Sequence, residues 1–291
     1  ACTKGANASS MRNAPAPAGA ESKTIRAKQR AFSFKSSFMT AIAERALVSR
    51  VDDYSLPISA NQTLSEFLRQ QMSPYIGMTV DDIAFQLNIP QSVSKANKSL
   101  LVVRMLGVNS RDVTAIEQFR KANVTKLKTV VRYPNGLPQE NMSFRQITEE
   151  EWRELASFDA KWEDSFLYKY FEENKLFIVP FESSVPYSQH VAGRDRLSGG
   201  FLWNMPEGDI ERYVHPVWDR LHELMLSGKS VHYGRGTNLL PGTSFNGVCH
   251  LRPKGRNSKD VVNLPNGESI PKQCFWLDRR YVAKLIRERQ D

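Results

Sequence analysis

The segment VTKLKTVVRY at residues 124–133 constrains the fold of this chain more than any other stretch. Branched apolar residues alternate with polar ones along it, and Pro134-Asn135-Gly136 supplies a turn directly afterwards, which is the pattern of a half-buried strand. The apolar run KLFIVPF at 175–181 is typical of a fully buried strand. Helical periodicity over residues 209–227, which ends at Gly228, predicts a long amphipathic helix. The chain therefore combines strands with helices.

Local signals predict several element boundaries. Thr63 is expected to cap a helix that extends to about residue 71, with Glu66 completing a capping box. The short segment 142–144 is expected to pair back onto the strand at 124–133.

Near the C-terminus, residues 248–251 and 274–277 predict two strands separated by a turn at 264–270. A basic helix capped by Asp278 follows them. Alternation within the second strand places Cys274 with Trp276 on one face and Phe275 with Leu277 on the other. Trp276 is therefore open to two interpretations, a core residue or a residue on a binding surface.

The first 60 residues look different from the rest. Residues 1–31 are rich in Ala, Gly, Ser and Pro and predict a loop or basic tail, and residues 49–61 predict a linker. An amphipathic helix is expected between them, over residues 32–48. The start lacks both an initiator Met and an apolar leader, which suggests a processed chain or a fragment.

Positive charge is concentrated at the two ends of the chain. The net charge is +9 over 291 residues. Residues 1–50 contribute nine basic and two acidic side chains (+7), residues 51–228 contribute 19 and 24 (−5), and residues 229–291 contribute 12 and five (+7). This segregation favours a surface that binds a polyanion, although a solvated face without a partner would give the same count.

The strongest basic cluster lies in CHLRPKGRNSK at residues 249–259, which has no acidic residue. The aromatic run QCFWL at 273–277 and the pair Arg279-Arg280 follow it. Fork-shaped donors beside aromatic rings suit a surface that grips phosphates and enters a groove.

Other classes of protein are disfavoured. No stretch approaches the roughly 18 apolar residues of a membrane span, and only three cysteines are present, in no metal-ligand spacing. We therefore expect a cytoplasmic protein without a metal site of its own. The five histidines lack a catalytic spacing, and the GRG at 234–236 lacks the rest of a phosphate loop.

Several long stretches resemble the MutH-related type II restriction endonucleases that recognise GATC, most closely the second half of the two-domain Sau-type enzymes. The resemblance lies in ACTKGANASSMRN, AKQRAFSFKSSFMT, LKTVVRYPNGLPQENMSF, WEDSFLYKYFEENKLFIV, VCHLRPKGRNSKD and KQCFWLDRRYVAKLI. It implies an α/β, restriction-endonuclease-like mixed sheet flanked by helices. It also implies that residues 1–60 are the tail of a preceding catalytic half plus a linker, and that residues 61–291 are a MutH-like DNA-binding domain.

In such enzymes the first half cuts and the second half is a degenerate copy that binds a second site as an effector. The resemblance therefore implies three partners or conditions: double-stranded DNA containing GATC, the catalytic N-terminal half of the same enzyme, and Mg²⁺ for that half's cleavage but not for DNA binding. A bacterial cytoplasm is the implied location.

The nuclease chemistry of this family needs clustered carboxylates for Mg²⁺ and a nearby lysine. Lys128 stands at the lysine position, but Lys126 or, one residue over, Thr125 stands where a glutamate is needed. Glu117 lies near the first acid position, and an unusual site of Glu117, Asp112 and Lys128 is the alternative. We expect no catalytic residues and no metal ligands in this chain.

The resemblance also suggests which residues contact DNA. The RPK segment enters the groove in such proteins, so Arg252 and then Lys254 are expected to read bases, and Trp276 is the expected aromatic neighbour. Phosphate contacts are expected from the other basic residues and an adjacent amide. The predicted DNA-binding residues are Arg252, Lys254, Arg256, Asn257, Lys259, Trp276, Arg279, Arg280, Lys95 and Lys98.

Three functions remain open at this point. The first is GATC-specific DNA binding as an effector domain without cleavage, the second is an active Mg²⁺-dependent endonuclease, and the third is a nucleic-acid-binding protein without sequence preference.

Overall fold

The structure is a computed structural model. It describes residues 11–14, 25–28, 39, 42–43, 54–90, 96–110, 112–231, 238–257 and 259–289. None of the helices in these ranges is long and apolar enough to cross a membrane.

Helices and strands are mixed along the chain. The α-helices are α1 (Leu64–Met72), α2 (Val80–Gln86), α3 (Ala96–Met105), α4 (Glu117–Lys121), α5 (Glu149–Leu155), α6 (Phe166–Glu173), α7 (His215–Ser227) and α8 (Arg279–Arg287), with a further single turn at Glu207–Asp209. The strands are β1 (Met11–Ala14), β2 (Ile25–Lys28), β3 (Val124–Arg132), β4 (Met142–Gln146), β5 (Lys175–Glu182), β6 (Arg196–Leu197), β7 (Phe201–Trp203), β8 (Cys249–Pro253), β9 (Val261–Asn263), β10 (Ser269–Pro271) and β11 (Gln273–Leu277).

Two larger sheets, of four and three strands, form the framework, and β1 with β2 and β9 with β10 form two-stranded sheets of their own. In the first, β3 and β5 run parallel, and β5 also pairs antiparallel with β6 and β7. In the second, β11 is the central strand and pairs antiparallel with β4 on one side and β8 on the other. The prediction that residues 142–144 pair with the strand at 124–133 is wrong, because β4 pairs with β11 instead.

The buried strand β5 separates two apolar cores. Phe177, Val179 and Phe181 contribute to one core, which also contains α1 to α4. Leu176 and Ile178 point the other way, into a larger core beneath α5 to α8. All five side chains are almost fully buried, which is why this strand has an unbroken apolar sequence rather than an alternating one.

Helix ends follow the capping rules. Thr63 caps α1 as expected: its hydroxyl accepts from the Glu66 amide (3.2 Å), and the Glu66 carboxylate accepts from the Thr63 amide (2.8 Å). Asp278 caps α8 by accepting from the Arg280 amide. The predicted long helix ends at Gly228 with a left-handed φ of 61°. However, its first turns are not regular, since a π-helical segment, Ile210–Val214, precedes α7.

The N-terminal region departs from the loop and linker predictions where it is described. β1 and β2 pair antiparallel within the segment predicted as a tail, so that segment is not wholly irregular. Within the predicted linker, the Tyr54 amide donates to the Ala115 carbonyl (3.0 Å) and Leu56 is 4% exposed. The part of the linker after residue 53 is therefore packed against the domain. Only residues 39, 42 and 43 of the helix predicted at 32–48 are described, and these are helical.

The capping box of α1 gives a stability prediction. Thr63→Ala removes the hydroxyl acceptor and should lower the free energy of unfolding by about 1 kcal/mol. Chemical denaturation monitored by circular dichroism measures this. Thr63→Ser keeps the acceptor and should stay within about 0.5 kcal/mol of wild type. Equal losses in both variants would contradict the capping role.

Candidate nucleic-acid interface

A cleft of about 680 Å³ opens beside β3 and β4. Its walls come from β3 and the loop after it, from the start of β4, and from the loop that contains His190. Its lining includes Lys98, Lys128, Glu140, Asn141, Ser143 and His190. A concave surface with both aromatic and charged walls is the usual setting of a binding site.

Lys128 lies on the wall of this cleft in the middle of β3. Its ammonium group donates to the Ser143 carbonyl (2.5 Å) and lies 5.8 Å from the centre of the Phe144 ring. Burial first, and then the nearby cations Lys254 and Lys126, lower the pKa of Lys128 to about 8. The chain thus holds a partly buried cation close to other cations.

Lys254 also contacts Ser143 and its neighbour Phe144 on β4. It follows β8, and its ammonium group donates to the Ser143 hydroxyl (2.7 Å) and to the Phe144 carbonyl (3.0 Å). Its backbone amide donates to the Lys272 carbonyl (2.8 Å), and its carbonyl accepts from the Gln146 side chain. These bonds fix the position of the residue at the end of the sheet. The ammonium groups of Lys128 and Lys254 therefore meet at Ser143.

Arg252 and Trp276 form the outer part of the surface. Trp276 pairs with Ser143 on β4 and with His250 on β8. Its indole N–H donates to the Arg252 carbonyl (3.4 Å), and the Arg252 guanidinium lies 5.5 Å from the centre of the ring, within the range of a cation–π contact.

The two faces of β11 differ as the alternation predicts. Phe275 and Leu277 are buried in the larger core, whereas Trp276 is only partly buried on the opposite face. Arg252 is exposed, so its donors are free to reach a ligand. Trp276 is therefore not a core residue.

The loop after β8 presents more basic groups. Arg256, Asn257 and Lys259 are exposed. Asp260 holds the loop, because its carboxylate accepts from the Arg256 amide (2.9 Å) and pairs with Lys272 (2.7 Å). These hydrogen bonds, that of Lys272 first, lower the pKa of Asp260. The loop is thus shaped by an acid that leaves the Arg256 and Lys259 side chains exposed.

The start of α8 contacts the segment just before β4. The Arg279 amide donates to the Asn141 side-chain oxygen (2.9 Å), and its guanidinium contacts the Gln139 carbonyl (3.5 Å). The Asn141 side-chain nitrogen lies 3.2 Å from Nε2 of buried His250. Burial lowers the pKa of His250, so this imidazole is neutral and accepts from Asn141. Arg280 is exposed at the first turn of α8.

Lys98 occupies a different setting from the one predicted. It is 6% exposed, and its ammonium group forms an ion pair with buried Asp195 (2.9 Å). The Asp195 carboxylate also bonds His190 (2.8 Å). Lys98 lines the cleft but already has a counter-ion, so it is a weaker candidate for a phosphate contact than the exposed basic residues. The other predicted lysine of this helix, Lys95, lies outside the described residues.

The acidic residues weighed as metal ligands are dispersed. Glu117 pairs with Lys121 (2.8 Å) on α4, and Asp112 accepts from the Thr114 amide (2.9 Å) as a cap. Neither lines the cleft. Among the described residues, no three His, Cys, Asp or Glu side chains come together in a way that could hold a metal ion.

The cleft does not fit Mg²⁺. A hard divalent cation needs several oxygen ligands, whereas the described lining has one carboxylate, Glu140, and two ammonium groups, Lys98 and Lys128. Lys98 already pairs with Asp195, and the ammonium group of Lys128 would repel a further cation.

Sequence reasoning missed Ser143 and Asn141, which join the two basic segments to β4. Both lie within the stretch that carries the family resemblance. No local pattern marks them, because their partners in the C-terminal basic segment, His250 and Lys254, are more than 100 residues away.

Comparison with known proteins gives two kinds of relative. No protein-family model matches the chain. The chain is 28% identical over 301 residues to the type II restriction enzyme Sau3AI of Staphylococcus aureus, an alignment that covers 96% of this chain and 58% of Sau3AI. It is also 28% identical over 239 residues to the DNA mismatch repair protein MutH of Haemophilus influenzae strain 86-028NP, which covers 78% of this chain and 95% of MutH.

These similarities confirm the resemblance to Sau3AI and MutH. The chain is a homologue of both proteins, and its mixed sheets with flanking helices are the restriction-endonuclease-like fold that homology to MutH implies. It spans little more than half the length of Sau3AI.

Lys128 gives a stability prediction. Lys128→Met keeps the length of the side chain but removes a poorly solvated cation, so it should raise the free energy of unfolding at pH 7 by about 1–2 kcal/mol. Lys169→Met is a matched control. Lys169 also donates to a backbone carbonyl at 2.5 Å, that of Asp164, but it is exposed on α6. This variant should stay within about 0.5 kcal/mol of wild type.

The stability gain should depend on pH. The folded-state pKa of Lys128 (about 8) lies below its ordinary value of 10.5, so the unfolded chain binds more protons between these pH values. The cost of Lys128 is therefore present in full below about pH 8 and is relieved as pH rises towards 10.5. Denaturation curves at pH 7 and pH 10 should show the advantage of Lys128→Met shrinking, and a constant difference would contradict the assigned pKa.

Proposed function

We propose that this protein binds double-stranded DNA at GATC sequences and acts as the effector domain of a type II restriction endonuclease without cutting DNA itself. The observation that carries this proposal is the exposed Arg252 beside Trp276 on the second sheet, whose strand β4 borders the cleft with Lys128 on its wall. Homology to Sau3AI and MutH supports a DNA-binding, nuclease-related role.

The surface divides into two kinds of contact. Arg252 is exposed and held at its base by the β8–β11 pairing, so its fork of donors can reach the O6 and N7 acceptors of a guanine in the major groove. The more flexible donors around it suit the phosphates on either side. These donors are Arg256, Asn257, Lys259, Arg279 and Arg280.

Cleavage by this chain itself is disfavoured by charge. Lys128 stands at the lysine position of the nuclease motif, but Lys126 is exposed two residues before it and Lys98 is buried in the facing helix. These ammonium groups take the place of the carboxylates that would bind Mg²⁺. The metal belongs, in this proposal, to the catalytic half of the parent enzyme.

The effector role follows from pairing this domain with a cutting domain. The alignment covers 58% of Sau3AI, so a Sau-type enzyme contains additional sequence in which a catalytic half can lie. We propose that residues 1–60 link that half to a DNA-binding domain at 61–291, and that binding of a second GATC site here promotes cleavage by the catalytic half. A bacterial cytoplasm is the corresponding location.

The proposal is tested by paired binding and cleavage assays on this chain. Gel shifts should show that a GATC duplex binds at least about 4 kcal/mol more tightly than a scrambled duplex. Incubation with Mg²⁺ should leave the GATC duplex intact. Cleavage at GATC would establish an active endonuclease instead, and equal binding to both duplexes would indicate a nucleic-acid-binding protein without sequence preference.

Arg252→Ala separates base reading from general affinity. Loss of the guanine contact should weaken GATC binding by about 1–3 kcal/mol and reduce the preference over scrambled DNA. Lys259→Ala is the comparison variant: it should weaken both duplexes equally and lower the slope of log K against log salt by about 1. If Arg252→Ala also weakens both duplexes equally, Arg252 contacts the backbone and does not read a base.

A further inference from the structure

We propose that Lys128 and Lys254 together form a binding site for one phosphodiester group of the DNA, and that this site works without a divalent cation. The inference rests on the proposed function, because it takes DNA as the ligand. It adds a site that homology does not assign, built around Ser143, in which two ammonium groups stand where a nuclease would use a metal ion.

Both lysines form hydrogen bonds to Ser143. Lys128 donates to its carbonyl (2.5 Å), and Lys254 donates to its hydroxyl (2.7 Å). The two side chains come from different sheets, β3 and the end of β8, so the pairing is a product of the tertiary fold. Two ammonium groups bonded to one residue lie close enough to share an anion.

Neither lysine forms an ion pair with any described residue, although Lys98 nearby is paired with Asp195. Like charges held together in a partly buried place repel, and each lysine carries three N–H donors. Lys128 donates one of them to a described residue and Lys254 donates two. Two N–H groups of Lys128 and one of Lys254 are left to donate to the two unesterified oxygens of a phosphodiester.

Both lysines can be reached by a ligand. Lys128 lines the cleft, and Lys254 is exposed. The Lys254 ammonium lies 5.8 Å from the Trp276 ring, whose other neighbour is the Arg252 guanidinium at 5.5 Å. The phosphate held by the two lysines is therefore next to the base pairs that Arg252 reads.

The pKa of Lys128 is lowered to about 8 in the protein without DNA. A phosphate would stabilise the ammonium form and raise this pKa. DNA binding above pH 8 should thus take up a proton at Lys128. Burial is the largest cause of this lowering of the pKa, Lys254 after β8 and Lys126 on β3 add to it, and Cys274 on β11 opposes it. No described carboxylate is among the causes.

The test combines protein variants with a chemically modified backbone. A GATC duplex is prepared as a series in which one phosphate at a time is replaced by an uncharged methylphosphonate. Affinities of wild type, Lys128→Met, Lys254→Met and the double variant are measured by fluorescence anisotropy in EDTA. Lys169→Met serves as the control, since it removes an exposed lysine outside the cleft, and thermal unfolding confirms that every variant is folded.

Each single variant should lose about ten-fold in affinity for unmodified DNA, the loss expected for a charge-assisted hydrogen bond. At one backbone position the methylphosphonate should weaken wild type to the level of the double variant but leave the double variant unchanged. The salt slope should fall by about 0.9 in total for the double variant, because only one phosphate is involved. Replacing EDTA with Ca²⁺ at matched ionic strength should not strengthen binding.

Other outcomes separate this site from the proposed function. Losses that multiply at every backbone position, or a double variant that binds like wild type, would overturn the two-lysine site. A ten-fold gain with Ca²⁺ would overturn its independence from divalent cations. If GATC and scrambled duplexes bind equally while the coupling at one phosphate persists, the site stands and the sequence specificity fails.

Discussion

The pairing of β11 between β4 and β8 is the constraint on which the whole surface depends. Phe275 and Leu277 anchor one face of β11 in the larger core, so Cys274 and Trp276 must face the other way. A shift of one residue would bury Trp276 and expose Phe275. The register thus places Trp276 beside Ser143 of β4. It also pairs Cys274 with Arg252 of β8, so Arg252 lies on the same face of the sheet as Trp276.

The features that were predictable from sequence depend on neighbours within a few residues. The Thr63 capping box, the Asp278 cap and the Gly228 helix end each need only one turn of backbone. Strand β3 was predictable because its alternation extends over nine residues. The alternation of β11 likewise gave the correct faces, although not the depth to which Trp276 is buried.

The features that were not predictable depend on partners far along the chain. The choice of β11 over β3 as the partner of β4 is set by how the two sheets pack, and nothing in the segment 142–144 encodes it. The same holds for Lys98, whose partner Asp195 is 97 residues away. Sequence suggested that Lys254 points outward as a base reader, whereas the structure turns its ammonium group onto β4. The roles of the individual DNA-binding residues remain predictions.

The position of Lys128 connects the fold with the chemistry. A lysine in the middle of β3, flanked by Lys126 and Lys254, works against folding because burial and repulsion both disfavour its charge. In a nuclease of this fold, neighbouring carboxylates and a metal ion would offset such a charge. Here the Lys128 ammonium group bonds the Ser143 carbonyl and forms no ion pair with a described carboxylate. In the site proposed above, a DNA phosphate bound between Lys128 and Lys254 would offset this charge.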